Sequence, residues 1–123
     1  PPGVLAGAMR YHGVAPIVSS LYKGKYVEAV AHGQVESYSA GLMFTRSEGI
    51  VLSPHAMYTV KEVIEQALRC KTAGTEDTIL FTVTPAVSTE SSPYDSLLDG
   101  VMHDEKPEEV SLKKSLGRFI GRG

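Results

Sequence analysis

The most constraining feature of this sequence is an amphipathic pattern between Pro54 and Gly74. Apolar residues recur there at intervals of three and four, which places their side chains on one face of an α-helix. They are Val60, Val63, Ile64, Ala67 and Leu68. Gly74 then supplies a residue type that commonly ends a helix. The pattern therefore predicts a long helix whose apolar face must be covered by other elements.

Two further helices follow from the same kind of spacing. One is predicted from Pro16, a residue tolerated in a first helical turn, to the residue before Gly24. Its expected buried side chains are Ile17, Val18, Leu21 and Tyr22. The other is predicted over residues 34–47, although Gly41 lies in its middle and glycine disfavours a helix by about 1 kcal/mol relative to alanine. Its expected apolar side is formed by Val35, Tyr38, Leu42 and Met43.

Residues 26–31 and 78–84 have the composition of short strands. The second segment is rich in β-branched residues and stops at Pro85. Its three consecutive apolar residues, 79–81, are typical of a strand covered on both faces, as in a parallel sheet. Helices that alternate with such strands predict an α/β fold of about three helices and two short strands. Two strands are nevertheless too few for a covered parallel sheet.

Charge divides the chain into three blocks. Residues 1–75 carry seven Lys or Arg and five Asp or Glu. Residues 76–110 carry one Lys and nine acidic residues, and residues 111–123 carry four basic residues and no acidic one. An ordinary body is thus followed by an acidic stretch and a basic end.

Regular patterns fade beyond Pro85, and the charge blocks then suggest the domain boundaries. We expect a compact body over residues 1–98, an acidic linker over 99–110 and a basic amphipathic tail over 111–123. Such a tail suits the groove of a protein partner or an anionic membrane surface. Its expected partner-binding residues are Leu112, Leu116, Arg118, Phe119 and Ile120.

Composition excludes several kinds of protein. A chain of 123 residues with 42% hydrophobic and 21% charged side chains fits one modest globular domain. It has no apolar run near the roughly 18 residues of a membrane-spanning helix. The lone Cys70 rules out an internal disulfide framework and is expected to be inert packing. The four histidines are too widely spaced to indicate a metal site, and the basic surface is too small to indicate nucleic-acid binding.

Several segments, in order, resemble one known family. Residues 1–16 read Pro-Pro-Gly-Val-Leu-Ala-Gly-Ala-Met-Arg-Tyr-His-Gly-Val-Ala-Pro, and residues 44–51 read Phe-Thr-Arg-Ser-Glu-Gly-Ile-Val. Residues 67–71 read Ala-Leu-Arg-Cys-Lys, and residues 79–81 read Ile-Leu-Phe. This series is similar to the carboxyl-terminal part of tryptophan synthase beta chains, in the divergent branch of that family. The resemblance extends over about residues 1–98.

The resemblance implies part of the large domain of a fold-type-II pyridoxal phosphate (PLP) enzyme that joins serine, or its equivalent, to indole. In that family the Schiff-base lysine and the glycine-rich phosphate loop lie upstream of the matched region. A family glutamate that reaches the cofactor region is replaced by His55 here. A family turn whose serine approaches the cofactor corresponds to Thr84, followed by Pro85 in place of glycine. We therefore expect these positions to be degenerate, with no catalytic or cofactor-binding residue. PLP is expected only if the chain is part of an intact enzyme.

These observations favour a non-catalytic accessory subunit, derived from a tryptophan synthase beta-like enzyme and docked on other subunits of a larger complex. Two alternatives stay open. One is a carboxyl-terminal fragment of an active PLP-dependent lyase, and the other is a small-ligand sensor with a remnant cleft around His55 and Thr84.

The expected location follows from weaker signals. The chain opens at Pro1 without an initiator Met, which fits either removal of a transit peptide or an incomplete sequence. With a lone cysteine, this favours an organellar matrix or stroma, and a plastid in particular given the family resemblance. The tail adds an expected contact with the surface of a membrane complex.

Overall fold

The computed structural model describes residues 3–10, 13–86 and 92–104. A 3-10 turn (Gly7–Met9) precedes four α-helices: α1 (Pro16–Lys23), α2 (Gln34–Glu48), α3 (Pro54–Ala73) and α4 (Ser92–Leu98). The three helices predicted from the sequence are confirmed. Proline lies in the first turn of α1 and of α3, and Gly24 and Gly74 follow their last residues, as expected. At the end of α3, Gly74 has a φ of +69°, the left-handed conformation that glycine adopts without strain.

The core lies between α2 and α3, which pack against each other. Its buried residues are Tyr38, Ala40, Leu52, Ala56, Met57 and Val60. Gly41 explains how closely the two helices approach, because a Cβ atom there would lie only 2.4 Å from Cγ of Met57. The glycine that weakens α2 as an isolated helix therefore allows its tight contact with α3.

The beginning of α2 is connected to chain segments from both ends of the described structure. The buried side chain of Gln34 accepts a hydrogen bond from Leu5 N–H at 2.8 Å and donates one to the His103 carbonyl at 2.8 Å. Asp104 Oδ1 accepts a hydrogen bond from Val35 N–H at 3.0 Å. Asp104 thus satisfies a backbone donor in the first turn of a helix that begins far earlier in the sequence.

Part of the predicted acidic linker lies against the body. Met102 packs on the core cluster, and its N–H donates to the Ser96 carbonyl at 3.0 Å. Together with the contacts of His103 and Asp104, this attaches residues 101–104 to α2 and α4. The boundaries at residues 98 and 110 stay predictions, and residues 105–123 lie outside the described residues.

The predicted α/β class is supported only in part, because the described residues contain no β-strand. Residues 26–31 and 78–84 form no ladder, and one isolated antiparallel bridge joins Leu52 to Pro85. A strand needs backbone hydrogen bonds to a neighbour, so β-prone residues without a neighbour form none. The prediction of two strands is therefore wrong for this part of the chain, which is rich in α-helix.

Two details of helix packing also differ from the sequence prediction. The apolar stripe of α1 is exposed rather than buried; Ile17 is 71% exposed and Tyr22 is 60% exposed. The cause is that α1 packs on none of the other described helices to a substantial extent. In addition, α4 is not predicted by the sequence, because its Ser-Pro start resembles the preceding linker, yet Tyr94 and Leu97 pack on the core.

Two features are absent from the residues that the structure describes. No helix there is both long and apolar enough to cross a membrane. No group of three or more His, Cys, Asp or Glu side chains there could hold a metal ion.

Candidate functional site

The two positions that the family resemblance links to a cofactor lie on segments that pair with each other. Thr84 lies in the segment 84–86, which pairs with the segment 51–53. His55 lies two residues beyond Ser53, the last residue of that second segment. The backbone hydrogen bonds that join the segments are Ser53 N–H to the Thr84 carbonyl (2.8 Å) and Ala86 N–H to the Val51 carbonyl (2.9 Å). Tertiary structure thus brings together two regions that are far apart in the sequence.

Ser53 is the centre of this site. It is 1% exposed and immediately precedes α3. Its hydroxyl lies 3.2 Å from Nε2 of half-buried His55, its N–H is bonded to Thr84, and its carbonyl accepts a hydrogen bond from Ala56 N–H at 3.0 Å. The hydroxyl of Tyr94 donates to the neighbouring Leu52 carbonyl at 2.5 Å. Each polar group of Ser53 therefore already has a partner within the chain.

The described residues do not fit a PLP molecule bound through a lysine at this site. Lys61 is engaged with Glu65 at 2.5 Å and with Glu36 at 3.3 Å. Lys71 lies near the far end of α3, about 27 Å of helix rise from Ser53. The remaining described lysines, Lys23 and Lys25, are exposed and belong to the region around α1. A cofactor of this kind would need an attachment from another part of a larger protein.

The predicted partner-binding residues cannot be compared with the structure in the same way. Leu112, Leu116, Arg118, Phe119 and Ile120 lie outside the described residues. Their role stays a prediction.

A cluster of charged side chains, which the sequence analysis missed, connects the segment before α2 to α2 and α3. Its contacts are His32 Nε2 to Glu62 Oε2 (2.7 Å), Arg69 Nη2 to Glu62 Oε1 (2.6 Å), Lys61 Nζ to Glu65 Oε1 (2.5 Å) and Lys61 Nζ to Glu36 Oε2 (3.3 Å). Helical spacing signals the Lys61–Glu65 pair. No local pattern signals the contact of His32 with Glu62, because His32 precedes α2 and Glu62 lies on α3. We name these side chains the His32 cluster.

An apolar cavity of about 440 Å³ adjoins the His32 cluster. Met9, Val30, Ala31, Tyr58 and Thr59 line it together with His32 and Glu62. Burial and the negative charge of Asp104 raise the pKa of the Tyr58 hydroxyl. Because the charged groups are paired with one another, the cluster fixes the segment before α2 against α3 and leaves the cavity wall mostly apolar.

The His32 cluster predicts loss of stability in acid. The hydrogen bond with His32 lowers the pKa of Glu62 below its ordinary value of 4.5. The Gly33 N–H and Lys61 likewise lower the pKa of Glu36. A carboxylate whose pKa is lower in the folded state stabilises the fold above its unfolded pKa and loses that contribution as the pH falls. We expect the free energy of unfolding to decrease below about pH 4.5.

This expectation is checked by urea unfolding across a series of pH values. Glu62→Gln should reduce the slope of stability against pH in the acid range, whereas Glu28→Gln, outside the cluster, should leave it unchanged. Equal slopes for the original chain and Glu62→Gln would contradict a folded-state role for this carboxylate.

The described residues form a helical core with exposed apolar side chains on α1 and on segment 78–84. Comparison with known proteins identifies the family of its relatives. The chain is 41% identical over 104 residues to tryptophan synthase beta chain 2 of Aquifex aeolicus, covering 85% of this chain and 24% of that relative. It is 38% identical over 109 residues to the tryptophan synthase beta chain of Thermococcus onnurineus. That match covers 89% of this chain and 25% of the relative.

A third relative extends the pattern to another organism. Tryptophan synthase beta chain 2 of Methanosarcina acetivorans is 39% identical over 100 residues, covering 81% of this chain and 23% of the relative. No protein-family model matches the chain. The chain spans about a quarter of the length of the curated relatives it matches. It is homologous to tryptophan synthase beta chains, consistent with a carboxyl-terminal part of a beta-chain-like protein, so the sequence resemblance is confirmed.

Proposed function

We propose that this chain is a non-catalytic structural subunit that completes a tryptophan synthase beta-like body by packing against other polypeptide. The observation that carries the proposal is segment 78–84, which is bonded to Ser53 through the Thr84 carbonyl but is largely exposed along the rest of its length. Phe81 packs edge-to-face on Phe44 of α2, with ring centroids 6.3 Å apart, whereas neighbouring Leu80 is 96% exposed. Among the described residues, none forms a backbone–backbone hydrogen bond with residues 78–83. Such an edge is a template for pairing with another segment.

Helix α1 supports the same interpretation. An isolated helix of eight residues is marginal in water, since nucleation is costly and few hydrogen bonds follow. Its apolar residues Ile17 and Tyr22, and Tyr26 just beyond it, are exposed, and α1 packs on none of the other described helices to a substantial extent. A protein surface that covered both α1 and segment 78–84 would stabilise both, because burial of apolar area is favourable.

The lack of catalysis is proposed from the site. His55 stands where the family resemblance places a glutamate, and its imidazole lies against Ser53. Pro85, in place of a glycine, lies in the bridge with Leu52 and offers no N–H. In the proposed subunit these residues serve local packing, and no cofactor is bound.

A second candidate is favoured by the relatives themselves. The chain keeps 41% identity to a protein named tryptophan synthase beta chain 2. If the remaining three-quarters of such a protein precede it in the same polypeptide, the chain is a fragment of a PLP-dependent lyase. The uncovered surfaces of α1 and segment 78–84 would then be buried within one chain.

A chimera distinguishes the two. The matched 104-residue region of the Aquifex aeolicus relative is replaced by this chain, and assembly, PLP retention and tryptophan formation from serine and indole are measured. We expect a folded chimera whose activity is lower than that of the parent by about 100-fold or more, because small displacements at a catalytic site have effects of that size. Restoring the family residues by His55→Glu with Pro85→Gly should raise the activity.

The controls separate folding from catalysis. Leu80→Lys should prevent assembly of the chimera, whereas Leu68→Lys, at a 51% exposed position of α3, should not. Parent-like activity with His55 and Pro85 in place would overturn the non-catalytic proposal and favour the enzyme fragment. Failure of the chimera to assemble, with Leu80 intact, would contradict packing on a beta-like body.

The proposed partners and location extend this function. We place the subunit in an organellar matrix or stroma, in a plastid by preference, as part of a multi-subunit complex at the periphery of a membrane. The uncovered surfaces on α1 and segment 78–84 support protein partners in general. Subcellular fractionation with native gel electrophoresis tests the location and the assembly together.

A further inference from the structure

A groove between α2 and α4 is the best candidate for a further binding surface. It has a volume of about 590 Å³ and is open to solvent. Its principal lining residues are Ser39, Leu42, Met43 and Arg46 on α2, with Leu97 and Leu98 on α4. Met43 is 54% exposed and Leu98 is 61% exposed, so apolar side chains of the groove face water.

We propose that the basic tail of this same chain, residues 111–123, binds in the groove between α2 and α4. The proposal does not depend on the proposed function. The position where the described chain ends is its first support. Two hydrogen bonds hold residues 103 and 104 at the first turn of α2. Val35 N–H donates to the Asp104 carboxylate, and the Gln34 side chain donates to the His103 carbonyl. The last described residue, Asp104, therefore lies about 6 Å of helix rise before Ser39, where the groove begins.

Length is the second support. The stretch from Asp104 to Leu112 can span up to about 26 Å when extended, which is more than the distance along α2 to any lining residue. In a helical conformation, Leu112 to Ile120 would rise about 12 Å. The groove runs along α2 from Ser39 to Ser47, which is the same rise of about 12 Å. A tail helix that runs alongside α2 would place its whole apolar stripe over the groove.

Charge is the third support. The tail carries four basic residues and no acidic one. Carboxylates stand next to lining residues in the sequence: Glu48 follows Ser47, and Asp99 follows Leu98, both with exposed side chains. Arg46 is the cation of the lining, so the acidic neighbours outnumber it. In the proposed complex, apolar side chains of the tail fill the groove and its basic side chains approach the carboxylates of Glu48 and Asp99.

Photo-cross-linking in the full-length protein, in whatever assembly it forms, tests this binding. p-Benzoylphenylalanine replaces Phe119 on the apolar stripe or, as a matched control, Lys114 on the opposite side of the predicted tail helix. After irradiation, the adducts are mapped by mass spectrometry. We expect the Phe119 probe to label residues 39–47 or 97–98 of its own chain, and the Lys114 probe to label them at least about fivefold less.

Groove variants and isotope mixing complete the test. Met43→Asp should lower the Phe119 adduct at least about fivefold, whereas Leu68→Asp, on the exposed part of α3, should not. Mixed heavy and light chains distinguish a second copy from the same chain. Labelling of another polypeptide, of a second copy, of membrane lipid or of a different segment would overturn the proposal. Equal labelling from positions 114 and 119, or none from either, would overturn it as well.

Discussion

Gly41→Ala is expected to destabilise the chain by about 1–2 kcal/mol, although alanine is the better helix former. The new Cβ would lie 2.4 Å from Cγ and 2.9 Å from Cβ of Met57. Because Cβ lies next to the backbone, rotation of the Met57 side chain cannot relieve both contacts. Overpacking of a core costs about 1–3 kcal/mol, and contacts this short place the cost at about 2–3 kcal/mol. Subtracting the helix propensity gain of about 1 kcal/mol leaves about 1–2 kcal/mol. Urea unfolding measures the difference.

A double-mutant cycle identifies the cause of this effect. Met57→Ala alone should cost about 2–5 kcal/mol, because Met57 is fully buried. The same change in the Gly41→Ala background should cost less, since it removes the clash. Ser47→Ala, near the exposed end of α2, is the matched control and should change stability little. Additive effects of the two substitutions would contradict a direct contact between Gly41 and Met57.

Gln34→Met is expected to lower stability by about 2–3 kcal/mol, with almost no change in side-chain volume. The amide of Gln34 bonds Leu5 N–H and the carbonyls of His103 and Gly3. Methionine would leave these backbone groups without a partner, and a buried unsatisfied group costs about 1–3 kcal/mol. Hydrogen exchange should show the Leu5 amide becoming unprotected, together with weaker protection of the amides at the start of α2.

The control for Gln34 is the same substitution at another glutamine. Gln66 donates to Glu62 at 2.7 Å on an exposed part of α3, so Gln66→Met should change stability by less than about 0.5 kcal/mol. If Gln34→Met behaved like Gln66→Met, the hydrogen bonds at the beginning of α2 would not hold the two ends of the described chain together.

The helices were predictable because their signals are local. Pro16 and Pro54 mark helix starts, and Gly24 and Gly74 mark ends. Apolar spacing identified buried Val60 of α3, but exposed Ile17 of α1 and Leu68 of α3 belong to stripes of the same kind. The prediction of two strands is wrong because a strand depends on contacts that are not local. β-Prone composition in 78–84 indicates a preference, whereas a strand exists only if a second segment supplies hydrogen bonds.

The sequence predicted which positions belong to the candidate site but not that they lie close together. The resemblance marked His55 and Thr84, yet their proximity depends on the pairing of segments around Leu52 and Pro85. The His32 cluster had no sequence signal for its central contact with Glu62, because those two residues are 30 positions apart. Contacts between distant segments depend on how the helices pack, and spacing along the chain does not reveal them.

By itself, the sequence determined where α1, α2 and α3 begin and end, to about one residue, and which family the chain resembles. Both depend on residues close together in order. Only the tertiary structure decided that Gly41 is a contact point with Met57, that Asp104 caps α2 and that the apolar side of α1 is uncovered. The physical reason is that burial and hydrogen bonding depend on which surfaces meet. These contacts join described residues that are far apart in the sequence, such as Leu5, Gln34 and His103.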